Sequence, residues 1–493
     1  MKYIMAIDQG TTGSRVVLYD KSGKKIQSSY EEFPQHFPKP GWVEHDPHDI
    51  WKSVNNSIQS VLKKVPSCEI AAIGITNQRE TTVLWDRETG RPVHNAIVWQ
   101  CRRTAPRCDE LKKRKERAEF FKRRTGLPID AYFSATKIEW ILKNVPGVMA
   151  KARAGKILFG TTDTWILWKL TGGRVHATDY TNVSRTMLFN IERLKWDQSI
   201  LKYFNIPKDI LPEVKRSSGI FGRTDQTGRL GAGIPISGIA GDQQAALFGQ
   251  TCFDPGEMKN TYGTGSFILL NAGMKRPVSK HGLITTLACG PSGEPVYALE
   301  GAVFVAGAAI QWLRDGLKII KRASDSERLA QSVKDNGGVY FVPALVGLGA
   351  PYWDQDARGL IPGITRGTKR GHIARAAIEA ICYQSKDVTL AMEKDSSLKI
   401  RSLKVDGGAV SNDLLCQLQS DILGHEVVRP KVIEITSLGA AYLAGLAVGY
   451  WKSSRDLKMC WKADKVFRPK MTRAASDKLY SGWLAAVKKT LSK

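Results

Sequence analysis

The sequence predicts an α/β protein made of two halves, each with its own sheet, and three observations carry this expectation. The chain has 493 residues, enough for two or three domains of ordinary size. Hydrophobic residues make up 42% and aromatic residues 9%, so large buried cores are available and disorder is excluded as the main state. A strand, a turn rich in Gly and Thr and a second strand open the chain, and the same theme returns near residue 260. This diffuse duplication puts one boundary near residue 250, giving halves 1–249 and 250–493.

The elements follow in order. Tyr3–Ile7 is an apolar strand closing on Asp8. Gln9–Gly13 is the Gly/Thr turn, Arg15–Tyr19 the return strand, and Asp20–Gly23 a second turn. Ile70–Thr76 is a buried strand. Between Arg102 and Arg124, Leu111, Ala118 and Phe121 recur at helical spacing among basic residues, which predicts one amphipathic surface helix. Ile236–Ala240 is a strand running through Gly241 and Asp242 into a helix over Gln243–Gln250. Asn260–Asn271 repeats the opening theme. Ile373, Ala377, Ile381, Val388 and Met392 share one face of a helix spanning 373–392. Leu403–Val405 is a strand ending in Asp406. A helix over Ser411–Leu423 takes Ser411, Asn412 or Asp413 as its cap and stops at Gly424. Leu438–Trp451 is the longest apolar stretch, shorter than the roughly 20 residues a membrane span needs, so it reads as a core helix.

The net charge is +26, concentrated in Arg102–Arg124 and in the tail from Lys452. A polyanion partner and a solvated basic surface both explain it. Basic and aromatic residues do not interleave as in a single-strand binder, which favours the surface and no nucleic acid. The eight Cys form no Cys-x-x-Cys pair, which excludes a disulfide framework or zinc site. Asp8 interrupts the apolar start, so no signal peptide is expected and the cytoplasm is the expected location.

Three Gly-rich loops stand at strand ends: Asp8–Arg15, Tyr262–Ser266 and Asp406–Gly408. A phosphate needs close backbone donors, which Gly-rich turns allow, and hydroxyls to orient it. A carboxylate at a strand end can hold Mg²⁺ through water. The P-loop and dinucleotide-fold fingerprints are missing, so the nucleotide site is of another kind.

Asp8-Gln-Gly-Thr-Thr-Gly-Ser-Arg15 resembles the first phosphate loop of the FGGY sugar kinases. The likeness continues through Pro40–Asp46, Gly74–Thr82, Ala96–Thr104, Gly241–Gly249, Asn260–Gly265, Gly347–Trp353 and Val405–Ala409. It runs along almost the whole chain and matches best the members that phosphorylate glycerol. The resemblance implies two RNase H-like domains of the actin-like ATPase type around a catalytic cleft. It implies ATP and Mg²⁺ as cofactors, glycerol as substrate, and a homo-oligomer, a dimer or tetramer. The implied reaction makes sn-glycerol 3-phosphate, the first step of glycerol catabolism. Another sugar or polyol as substrate is the alternative.

Roles carry over residue by residue as implications of that resemblance. Asp242 is the catalytic carboxylate. Arg79 and Glu80 bind glycerol hydroxyls, Trp99 and Phe267 wall its carbons, and Tyr132 and Gln243 add contacts. Thr11, Thr12, Gly13 and Arg15 form the first phosphate loop, with Asp8 linked to Mg²⁺ through water. Thr264 belongs to the second loop, Gly307 and Gln311 contact the nucleotide before a helix, and Gly408 and Asn412 lie on the adenosine side.

There are departures. Gly13 stands where Ser is common in the family, a lost hydroxyl. The loop from Thr227 to Gly233 lacks the Gly-rich run ending in Arg that binds an allosteric sugar bisphosphate in some bacterial members. No His occurs between Glu213 and Pro235 for phospho-His activation, and the stretch from Pro469 does not resemble a transport-regulator docking segment.

Overall fold

In the computed structural model, residues 2–226 and 228–492 are described. Thr227, where the altered effector loop begins, lies outside them. The chain forms two compact units. The first comprises residues 1–253, 285–297 and 435–461, and the second residues 254–284, 298–434 and 462–493. The chain therefore passes between the two units more than once.

The first unit is built on a six-stranded sheet: β1 (Tyr3–Gln9), β2 (Gly13–Tyr19), β3 (Lys25–Glu32), β4 (Ile70–Asn77), β5 (Ser218–Arg223) and β6 (Pro235–Gly241), in the spatial order β5-β6-β4-β1-β2-β3. The expected opening strands and turn are present. β4 and β6 run parallel to β1, so Asp8, Thr76 and Ala240 fall in one row across three strands. Both faces are covered. On one, α1 (Pro47–Leu62) lays Val54, Ile58 and Val61 against Met5, Ile7, Val16 and Ile73. Against the sheet also lies the helix Ile435–Ala447, the apolar stretch read as core, so close that a Cβ on Gly74 would stand 2.1 Å from the Ala440 carbonyl oxygen. Only glycine permits that approach.

The basic run is two helices, not one: α2 (Ala105–Lys112) and α3 (Lys115–Thr125). The chain breaks at Arg114, which is extended, and two short helices let Leu111 and Phe121 both be buried. Arg102, Arg107 and Arg124 pair with Asp130, Glu139 and Asp197. β6 leads directly into α4 (Asp242–Gly249).

The second unit pairs β7 (Met258–Tyr262) and β8 (Ser266–Gly273) antiparallel, with β9 (Ser402–Asp406), β10 (Glu426–Pro430) and β11 (Ala463–Phe467) continuing from β7 in the order β8-β7-β9-β10-β11. β7 and β9 are parallel, so their following loops are neighbours. α5 (Gly307–Asp315), α6 (Arg370–Ser396) and α7 (Asp413–Leu423) contribute to its core, which includes Ile310, Ile381, Val388, Met392, Leu418 and Ile422. Asn412 caps α7, accepting from the Leu415 amide at 2.8 Å, and Gly424 ends it in the left-handed conformation.

Candidate functional site

β1, β4 and β6 end side by side, and these ends place Asp8, the pair Arg79–Glu80 and Asp242 together. Carboxyl ends of parallel strands are where open α/β sheets place ligands. Asp242 is the first residue of α4 rather than its cap, with its side chain one-third exposed. Its Oδ1 faces Arg79 Nε at 3.1 Å and accepts from the Gln243 amide at 2.7 Å. Its Oδ2 accepts from Gln243 Nε2 at 3.2 Å. Arg79 is held in turn by Gln244 Oε1 at 3.1 Å.

Glu80 is buried, with φ of 61°. A left-handed non-glycine residue costs about 1–3 kcal/mol, and its surroundings must hold it there. They do so from both ends. Its carbonyl accepts from Ser134 Oγ at 3.0 Å, Thr82 Oγ1 at 3.1 Å and Lys137 Nζ at 3.4 Å. Its carboxylate accepts from Arg185 Nε at 2.6 Å, with Arg79 Nε at 3.9 Å. Burial pulls the Lys137 ammonium down to about 8, against the opposing pull of Glu80.

The aromatic residues close this line. Arg185 lies over the Tyr132 ring at 5.5 Å, Tyr132 meets Trp99 edge-on at 5.6 Å, and Trp99 Nε1 donates to Thr11 Oγ1 at 3.0 Å. Trp99 thus ties the Tyr132 ring to the Gly/Thr turn after β1. The first unit therefore brings together Asp8, Thr11, Arg79, Glu80, Trp99, Tyr132, Asp242 and Gln243. Arg185, Lys137, Ser134 and Gln244 were not foreseen. Gln244 lies in the Gly241–Gly249 segment without a role of its own there; Arg185, Lys137 and Ser134 belong to no motif, and a charge in a helical or turn segment ordinarily reads as solvated.

Desolvation and the nearby Asp242 carboxylate push Asp8 up to about 7, while Arg15 pulls it down. Among the described residues no three His, Cys, Asp or Glu side chains cluster to ligate a metal. A desolvated carboxylate facing a second one does fit a cation that keeps its own waters, as magnesium does.

The second unit carries its own set. Gly263 and Thr264 sit on the start of α5, their carbonyls accepting from the Gly307 and Ala308 amides at 3.0 and 2.9 Å. A Cβ on Gly307 would stand 2.5 Å from the Gly263 oxygen, so the loop and helix are pressed together. Gln311 is exposed on α5, one turn on. Phe267 is half-buried on β8, opposite Thr261. Gly408 follows β9 with open space where its Cβ would be, and lines a cavity of about 330 Å³ with Ser411, Arg429, Lys431 and Asp464. Asn412 spends its side-chain oxygen on the α7 cap. Arg429, unforeseen, donates to Asp413, Asp464 and the Val410 carbonyl and so fixes that cavity.

Two family models describe the chain: the N-terminal domain of the FGGY family of carbohydrate kinases matches residues 3–249, and the C-terminal domain of the same family residues 258–448. Glycerol kinase 2 of Thermotoga maritima is 59% identical over 493 residues, covering 100% of this chain and 99% of the relative. The glycerol kinase of Fusobacterium nucleatum is 58% identical over 492 residues, 99% of each. Among solved structures, Plasmodium falciparum glycerol kinase with ADP matches with a TM-score of 0.94 at 38% identity, over 100% of this chain and 99% of that one.

Proposed function

Because the chain belongs to the FGGY family of carbohydrate kinases, we propose that it phosphorylates glycerol with ATP to give sn-glycerol 3-phosphate. The observation that carries this reading is the polar line Asp242–Arg79–Glu80 beside the Trp99–Tyr132 wall. A small triol needs donors and acceptors in a fixed pattern and apolar surface for its carbons. Arg79 donates, Glu80 accepts, and Gln243 and the Tyr132 hydroxyl complete the set. Trp99 packs the carbons.

Asp242 accepts the hydrogen of a primary hydroxyl and aims its oxygen at the phosphorus. An alcohol is far too weak an acid for a carboxylate to ionise beforehand. The proton therefore moves late, and orientation is the larger part of the role. Arg79 keeps the carboxylate in place. MgATP, when bound, supplies the phosphoryl group and the cation that offsets its charge. In the first unit Thr11, Thr12, Gly13 and Arg15 form a phosphate-binding loop, and in the second unit Thr264 and Gly307 form another at their loop and helix start. Gly408, Asn412 and Gln311 serve the adenosine side, and Asp8 is the residue that would hold magnesium through water. A reaction that consumes ATP belongs in the cytoplasm, where the eight cysteines, none of them in a disulfide, remain thiols. The oligomer is a dimer or tetramer, which light scattering tests.

The function is tested by coupled ADP release with glycerol, dihydroxyacetone, xylulose, ribulose and gluconate. Glycerol gives the highest kcat/KM. A pentulose or gluconate ranking above it overturns the reading.

A further inference from the structure

The first phosphate loop is short of hydroxyls. Thr11 Oγ1 accepts from Trp99 Nε1 at 3.0 Å, and Ser14 turns inward to meet Ser53 Oγ at 2.8 Å. Residue 13 has no side chain at all. The space where one would begin is filled by a residue of another strand. An ideal Cβ on Gly13 would stand 2.7 Å from both Cζ and the hydroxyl oxygen of Tyr30, and 2.6 Å from the Glu31 carbonyl oxygen.

Tyr30 lies on the edge strand β3, directly opposite Arg15 on β2. It is 46% exposed, so it is not there to fill a core. Its hydroxyl is 3.3 Å from Thr12 Oγ1, and its ring lies under the Arg15 guanidinium at 5.4 Å from the centroid. The hydroxyl thus emerges between the loop's exposed Thr and its cation. An exposed tyrosine hydroxyl in that position has a donor to offer to an anion.

We propose that Tyr30 is a phosphate-binding residue of the first loop, its hydroxyl standing in for the side chain that Gly13 lacks. This rests on the kinase reading, since it takes the loop to be a phosphate site. Gly13 and Tyr30 then form one device: the glycine makes room and the tyrosine delivers the donor across the strand pair. The apparent loss of a hydroxyl at position 13 is a relocation.

The test uses the full-length protein and the magnesium complex of β,γ-imido-ATP, titrated calorimetrically without acceptor, so that it does not depend on which polyol is phosphorylated. Tyr30→Phe keeps the ring over Gly13 and removes only the hydroxyl. Losing one hydrogen bond to a charged group in a partly exposed place weakens binding about tenfold. Tyr30→Ala weakens it to the same extent, and neither changes the KM for glycerol. Gly13→Ser adds a hydroxyl yet also weakens binding, because its Cβ displaces Tyr30. Binding by Tyr30→Phe equal to the parent's, with only Tyr30→Ala weakened, means that the ring packs and the hydroxyl does nothing, and overturns the proposal. So does an equal rise in both KM values, which marks a general disturbance. A pentulose preferred to glycerol, with Tyr30→Phe still weak for nucleotide, overturns the substrate reading and leaves this one supported.

Discussion

Arg185 is fully buried and donates to Glu80 at 2.6 Å, with its guanidinium over the rings of Tyr132 and Phe133 at 5.5 and 5.3 Å. Replacing it by leucine takes the 2.6 Å cation from a buried carboxylate, with Arg79 Nε at 3.9 Å and the Lys137 ammonium still acting on it. Removing one partner of a buried ion pair costs about 3–5 kcal/mol. Losing the ring contacts adds about 0.5–2 kcal/mol. Urea unfolding followed by tryptophan fluorescence therefore shows Arg185→Leu destabilised by roughly 3.5–7 kcal/mol. The double variant Arg185→Leu with Glu80→Gln separates charge from packing, because replacing both members of a buried pair is often near neutral. It recovers about 2 kcal/mol or more of the loss, while glycerol binding stays weak because the charged carboxylate acceptor has become a neutral amide with one acceptor oxygen. A single variant within about 1 kcal/mol of the parent, or additive effects of the two changes, would show that Arg185 does not hold Glu80.

Two further outcomes follow from close packing and from Asp8. Gly439→Ala raises helix propensity, yet its Cβ would lie 1.8 Å from the Ala245 carbonyl oxygen, so overpacking wins and thermal or urea unfolding shows a loss of roughly 3 kcal/mol or more. Asp8, raised to about 7 from 3.8, takes more protons folded than unfolded between those values, so its penalty is absent below about pH 4 and grows as pH rises to 7. The stability gained by Asp8→Asn therefore widens by about 2–3 kcal/mol between pH 5 and pH 8; a constant gap on urea unfolding would place the Asp8 carboxyl in an ordinary environment.

How much of this was legible follows from the kind of signal each residue leaves. Asp8 and Asp242 sit where apolar runs stop, and that transition is visible in one dimension. The stop at Gly424 and a cap within residues 411–413, which Asn412 supplies, were readable for the same reason: capping is local chemistry. The break between α2 and α3 was not, because neither glycine nor proline marks Arg114 and only the burial of Leu111 and Phe121 requires it. The helix Ile435–Ala447 declared itself as core by its apolar small residues. That its partners are Gly74, Gly238 and Ala245, some 200 to 370 residues earlier, is a property of the tertiary fold. Arg185 and Lys137 look like surface charges until the structure buries them against Glu80. Tyr30 was silent for a different reason: it matters only through the register that sets it opposite Arg15.

The account stands on Asp242, held by Arg79 and Gln243, as the group that orients the attacking hydroxyl. The most direct measurement is a single-turnover reaction of Asp242→Asn with MgATP and glycerol, alongside calorimetric binding of each ligand. The carboxamide keeps the size and one oxygen, so both ligands bind within about threefold of the parent, while the phosphoryl-transfer rate falls by about 10²–10⁴. Transfer at a near-parental rate would contradict the account and remove Asp242 from the centre of the mechanism.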